Sequence, residues 1–165
     1  MPTTCLVGKL PKVARQRVAH RSDTVRRESC RSRESGMPLI RVEIREGCSP
    51  AEKARLLDAI HAAAAEALRI PDKDRTQILT EHPAEAFEIP PGKGDRFTLV
   101  EITMFPGRSL DAKRRLYRAV VTNLGRLGIP PSDVLIVLHE VPLENWGIRG
   151  GTPASDVDLG FEVGV

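Results

Sequence analysis

The chain has 165 residues, of which 41% are hydrophobic and 28% charged. That suits one globular domain with its own core, and no apolar run reaches the roughly 18 residues a membrane helix needs. The formal charge of +3 is unevenly held: residues 1–36 carry nine Lys/Arg against three Asp/Glu, and residues 37–165 carry sixteen against nineteen. The body is therefore mildly acidic. Without a basic stripe interleaved with aromatics, it is not expected to bind nucleic acid. Cys5, Cys30 and Cys48 are widely spaced and odd in number, so they make neither a disulfide framework nor a metal pattern, and a reducing cytoplasm is the default location.

Residues 1–36 form a basic leader. Its stretch "RRESCRSRESG" has no hydrophobic period and too little apolar surface to offset the entropy of ordering, so it is expected to be disordered. Three readings compete: a transit-like peptide, a basic tail for anionic partners, or a segment absent from the working protein because translation starts at Met37. The third is favoured by "GMPLIRVEI" at 36–44, where a methionine and a proline precede an alternating strand as at the start of a protein. The body, 37–165, is expected to be one domain of two repeats, 37–95 and 96–150. A C-terminal segment, 144–165, is expected near the pocket.

In the first repeat an apolar strand at 38–44 leads to Ser49-Pro50-Ala51-Glu52, a capping box with proline at the first helical position. Leu57, Ile60, Ala64, Ala67 and Leu68 then share one helical face. Ile70-Pro71 ends the helix, because proline disfavours helix in the residue before it. A second strand follows at 76–81, and Gly92-Lys93-Gly94 reads as a loop rather than a phosphate cradle.

The second repeat has the same order. A strand at 97–104 leads to Ser109, to a helix with Leu116, Tyr117, Val120, Val121, Leu124 and Leu127 on one face, to Ile129-Pro130, and to a strand at 134–139. The correspondence is residue by residue at a spacing near 59. Val42-Glu43-Ile44 recurs as Val100-Glu101-Ile102, Ser49/Lys53/Leu56 as Ser109/Lys113/Leu116, Ile70-Pro71-x-x-Asp74 as Ile129-Pro130-x-x-Asp133, and Glu81 as Glu140. Strand–helix–strand with a long crossover makes each unit's strands parallel. The expected fold class is α/β (α+β): tandem βαβ repeats with a four-stranded, mainly parallel-paired sheet and two helices on one face. Strands such as "TLVEITMF" are too apolar for the other face to stay open, so a symmetric oligomer is expected to cover it.

Met37-Pro38-Leu39-Ile40-x-Val42, the Ile-Pro-x-x-Asp-Arg turn at 70–75, "FPGRS" at 105–109 and "ENW" at 144–146 together resemble the tautomerase superfamily. The fused two-repeat form is closest, especially the branch containing malonate semialdehyde decarboxylase, and the likeness spans 37 to about 150. The resemblance implies a tautomerase-like fold, a homotrimer, no cofactor, a small carboxylate substrate and catalysis by an amino-terminal proline. Pro38 would be that proline if the working chain begins there, whereas linked to residue 37 its nitrogen is an amide without useful basicity.

A carboxylate substrate needs a cation. Arg108, in the turn before the helix opened at Ser109, is the candidate anchor. Asp74 matches the family aspartate that assists the proline, although Asp133 at the equivalent place shows that the same residue suits a turn. Phe105, Trp146 and Ile148 would line the pocket, with Arg149 as a second cation. The second copy has Arg96-Phe97 where Pro38 would map, so one proline centre per chain is implied. Two departures stand out. "Asn145-Trp146-Gly147-Ile148" lacks the family's usual aromatic, and Phe105-Pro106-Gly107-Arg108 carries one arginine where some decarboxylases have Arg-Pro-Arg.

Other polar residues carry little. His61 lies on the apolar helix face as a core histidine, His82 and His139 end strands, His20 is in the leader, and no set has metal spacing. Lys113-Arg114-Arg115 reads as a solvated helix face. The expected function is a cofactor-free tautomerase/isomerase acting on a small 2-oxo or enol acid. The alternatives are a decarboxylase/hydratase using the same groups, or a non-catalytic trimeric binding module if Pro38 is not the amino terminus.

Overall fold

The computed structural model describes residues 38–159. The leader, its Cys5, His20 and Cys30, and the start at Met37 lie outside the described residues.

Strand β1 (Leu39–Arg45), helix α1 (Pro50–Leu68) and strand β2 (Thr76–His82) form the first unit, and β3 (Thr98–Met104), α2 (Leu110–Gly125) and β4 (Val134–Glu140) the second. A short hairpin, β5 (Gly147–Ile148) and β6 (Thr152–Pro153), follows. The sheet order is β2-β1-β3-β4. Within each unit the pairing is parallel, Leu39 opposite Thr76 and Thr98 opposite Val134, as the crossover lengths require. The units join by an antiparallel pair, β1 with β3, in which Val42 faces Val100.

The helices start where the serines put them. Ser49 Oγ accepts from the Glu52 N–H, while the Glu52 carboxylate accepts from the Ser49 N–H at 2.9 Å. Such a cap is worth about 1 kcal/mol. Ser109 repeats the first half of this arrangement, accepting from the Ala112 N–H at 3.2 Å. Helix α1 ends at Arg69, which is left-handed with φ 55°.

Ile40, Val42 and Ile44 of β1 and Val100, Ile102 and Met104 of β3 are buried in one cluster with Ile60, Ala64, Ala67 and Leu68 of α1 and Leu116, Val120 and Leu124 of α2. The phase of α1 differs slightly from expectation. Leu56 is buried and Leu57 only half so, because residues one apart are turned by about 100° and the face is centred nearer Leu56. In α2, Tyr117 and Val121 likewise flank the buried row at half exposure, whereas Leu127 lies beyond the helix, which ends at Gly125, in a turn where its N–H donates to the Leu124 carbonyl at 2.9 Å. His61 is a core histidine, its Nε2 lying 3.0 Å from the Asp72 carbonyl oxygen.

The repeat also reappears as ion pairs. Lys53 Nζ is 2.5 Å from the Glu81 carboxylate, and Lys113 Nζ is 2.7 Å from that of Glu140. Each ties the start of a helix to the end of its unit's second strand. The sheet's other face remains partly open, with Ile78 and Leu135 on its edge strands 42% and 48% exposed. Glu43 and His82, and Glu101 and His139, pair between neighbouring strands.

Candidate active site

The topology gathers the beginnings of β1 and β2 and the ends of β3 and β4 at one end of the sheet. Pro38 is buried immediately before β1. Because Leu39 sits opposite Thr103, Pro38 stands beside the end of β3, where Phe105-Pro106-Gly107-Arg108 begins. Asp74 stands just before β2, the other neighbour of β1.

Phe105 is 4% exposed and meets Trp146 edge-on, with ring centroids 5.1 Å apart at 73°, the geometry that ring quadrupoles favour. Two further contacts hold that wall: the Trp146 indole N–H donates to the Val141 carbonyl at 3.0 Å, and the Val141 N–H donates to the Met104 carbonyl at 3.0 Å. The sequence offers a weak signal for the first contact, the five-residue step from Val141 to Trp146. It offers none for the second.

Gly107 takes φ 111°, which a side chain would resist. The turn it makes carries the chain from β3 to Ser109 and leaves Arg108 half-buried. Burial pushes the Arg108 guanidinium below its ordinary pKa. No hydrogen bond or ion pair within the described residues offsets that cost. A guanidinium keeps its proton in proteins, so this is a partly desolvated cation with an unmet demand for an anion.

Asp74 makes the same turn as its counterpart. Its N–H donates to the Pro71 carbonyl at 2.9 Å, as that of Asp133 does to Pro130 at 2.9 Å. Asp133 is buried in that turn, its carboxylate accepting from the Gly94 N–H at 3.1 Å and from the Ser132 hydroxyl at 3.1 Å. Asp74 is half-buried. Neighbouring Arg75 is occupied elsewhere, on Asp58 at 2.5 Å and on Gln77.

Ile148 is half-buried in the hairpin that follows Trp146. Arg149 is exposed at the hairpin turn with φ 47°, and its Nη2 donates to the Asp158 carbonyl at 3.2 Å.

The tautomerase-enzyme family matches the chain twice, at residues 38–93 and 74–149. A probable tautomerase, YrdN of Bacillus subtilis (strain 168), is 31% identical over 120 residues, which is 70% of this chain and 93% of that protein. The chain belongs to the tautomerase superfamily. Among solved structures of this fold, a malonate semialdehyde decarboxylase matches with TM-score 0.65 and 27% identity, covering 73% of this chain and 99% of that one. A fused 4-OT, a symmetric trimer, matches with TM-score 0.64 and 29% identity, covering 71% and 96%. Two family matches on two βαβ units make this a fused tautomerase-superfamily protein.

Proposed function

We propose that this tautomerase-like enzyme acts without a cofactor on a small 2-oxo or enol carboxylic acid, with Pro38 as the acid/base and Arg108 as the carboxylate anchor. The supporting observation is the half-buried Arg108 with no hydrogen-bond or ion-pair partner among the described residues, held at the sheet end where Pro38 is buried. The chemistry requires a chain that begins at Pro38, because only then is the nitrogen a secondary amine. A free α-amino group titrates near ~8. Burial, and a guanidinium held at the same end of the sheet, would both disfavour its charged form and poise it as a base near neutral pH.

The neutral amine takes the proton of an enol hydroxyl and returns it to the adjacent carbon, giving the 2-oxo acid with no net change in composition. Arg108 holds the carboxylate, Asp74 assists the amine, and Phe105, Trp146 and Ile148 exclude water, with Arg149 as a second cation at the rim. The open face of the sheet, with Ile78 and Leu135 exposed, supports a homotrimer like that of the fused 4-OT.

A second reading uses the same groups with the proline protonated, promoting decarboxylation or hydration of a 3-oxo acid. The match to malonate semialdehyde decarboxylase, a protein with decarboxylase and hydratase activities, favours it. The test starts from mass spectrometry of the mature amino terminus in the native host. It continues with turnover of phenylenolpyruvate and of malonate semialdehyde by chain starting at Pro38. Loss of both activities in Pro38→Ala supports the proposal. Unchanged turnover in that variant, or a native protein whose residue 38 is always linked to residue 37, overturns it.

A further inference from the structure

The antiparallel join makes the two ends of the sheet counterparts. At one end the start of β1, Pro38, meets the turn before α2, Phe105 to Arg108. At the other the start of β3, Arg96-Phe97, meets the turn before α1, Glu46 to Cys48. In the repeat Pro38 maps to Arg96 and Cys48 to Arg108, so the second end has neither the proline nor the turn arginine.

It has a cavity of about 470 Å³, within the range that takes small molecules. Its floor is apolar, made by Ile44, Leu56, Phe97 and Ile129, all buried. Its rim is cationic. Arg45 is neutralised by Asp95 at 3.1 Å, but among the described residues Arg96 and Arg126 donate to neutral acceptors, the Leu127 carbonyl and the Asn123 side-chain oxygen. Arg55 has no hydrogen-bond or ion-pair partner within the described residues. Of the rim carboxylates, Glu52 is held by the Ser49 cap at 2.7 and 2.9 Å and its charge also acts on Arg55 and Arg96, Asp95 is paired with Arg45, and Glu46 remains, so the four arginines outnumber the three carboxylates.

We propose that this cavity is a second ligand site, separate from the Pro38 end, for a small organic acid with an apolar body. The carboxylate would lie on Arg55, Arg96 and Arg126, where guanidiniums form charge-assisted bonds, and the body on Leu56 and Phe97. The site holds no general base in the place of Pro38, so it binds without turning over. The proposal does not depend on catalysis by Pro38.

Cys48 is half-buried in the lining, which makes it a reporter. In the full chain carrying Cys5→Ser and Cys30→Ser, the rate of Cys48 alkylation by neutral iodoacetamide is measured against phenylacetate, an aromatic acid that cannot tautomerise, and against its uncharged counterpart phenylacetamide. Phenylacetate is expected to slow alkylation saturably at millimolar concentration, and phenylacetamide much less. Arg55→Gln, an exposed helix position with no hydrogen bond to lose among the described residues, is expected to weaken protection about tenfold, the usual effect of one charge-assisted bond. Arg108→Ala should leave protection unchanged. The proposal is overturned by protection that vanishes in Arg108→Ala, by equal protection from the amide, by no protection at all, or by a Cys48 that does not react in the native assembly.

Discussion

Val42 and Val100 face each other across the antiparallel β1–β3 pair, both fully buried, and each is the other's counterpart in the repeat. The local two-fold of the whole sheet passes between them. Each side chain fills the same place in its own half of the core, so Val42→Ala and Val100→Ala should cost similar amounts, about 2 kcal/mol each for two buried methyls. Their contact should make the double variant depart from the sum of the singles. Chemical denaturation at one fixed protein concentration measures all three, since an oligomer's stability depends on concentration.

The Lys53–Glu81 bridge predicts acid sensitivity. The hydrogen bond from Lys53 holds the Glu81 carboxyl below the ordinary carboxylate range, against the opposing effect of burial. A carboxyl with a lower pKa folded than unfolded binds more protons when unfolded. Its contribution is therefore present above the unfolded value of ~4.3 and is lost as pH falls through the folded value. Glu81→Gln should lower stability by a constant amount above that pH and flatten the further loss below it, since the lost contribution no longer titrates. Melting temperatures taken across the acid range would show it, and an acid limb as steep as that of the parent would refute the assignment.

That bridge and its repeat, Lys113–Glu140, also show what a linear reading can reach. Ser49, Lys53 and Glu81 recur with their spacing intact in the second copy, and helix starts, strand positions and the burial of His61 follow from local rules of capping and periodicity. The antiparallel join does not, because nothing local in β1 states which strand lies on its far side. The same gap hid the second cavity, whose lining comes from the end of β1, the turn before α1, α1 itself, the start of β3 and the turn after α2. It also hid the Phe105–Trp146 contact, made between residues 41 positions apart. Pro38, Asp74 and Arg108 are legible only as motif positions, and the topology brings them to one end of the sheet.

Arg108 should be the most informative single change at that end. Its guanidinium makes no hydrogen bond or ion pair among the described residues, so Arg108→Ala should leave folding almost untouched while lowering kcat/KM for a small oxo acid by about tenfold to a hundredfold, the range for one hydrogen-bonded charge. Arg108→Lys should recover part of this, because an ammonium keeps the charge without the two-pronged fork. Steady-state kinetics on both variants, with melting temperature as the folding control, distinguishes an anchor from a packing residue.

Assembly is readable on the open side of the sheet. In β2, Gln77 donates to the Leu57 carbonyl and Leu79 packs into the core, so the alternate residue Ile78 points away from the helices. In β4, Val134 and Ile136 pack inward, which turns Leu135 outward. Two large aliphatic side chains on opposite edges of one face are costly to leave in water, and edge strands are where another copy of the chain pairs most readily. Ile78→Asp and Leu135→Asp should each shift the assembly toward monomer, since a carboxylate inside a packed interface has no compensating partner. Sedimentation velocity over a range of concentrations would register the shift. Variants that sediment like the parent at every concentration would place the subunit contact on another surface.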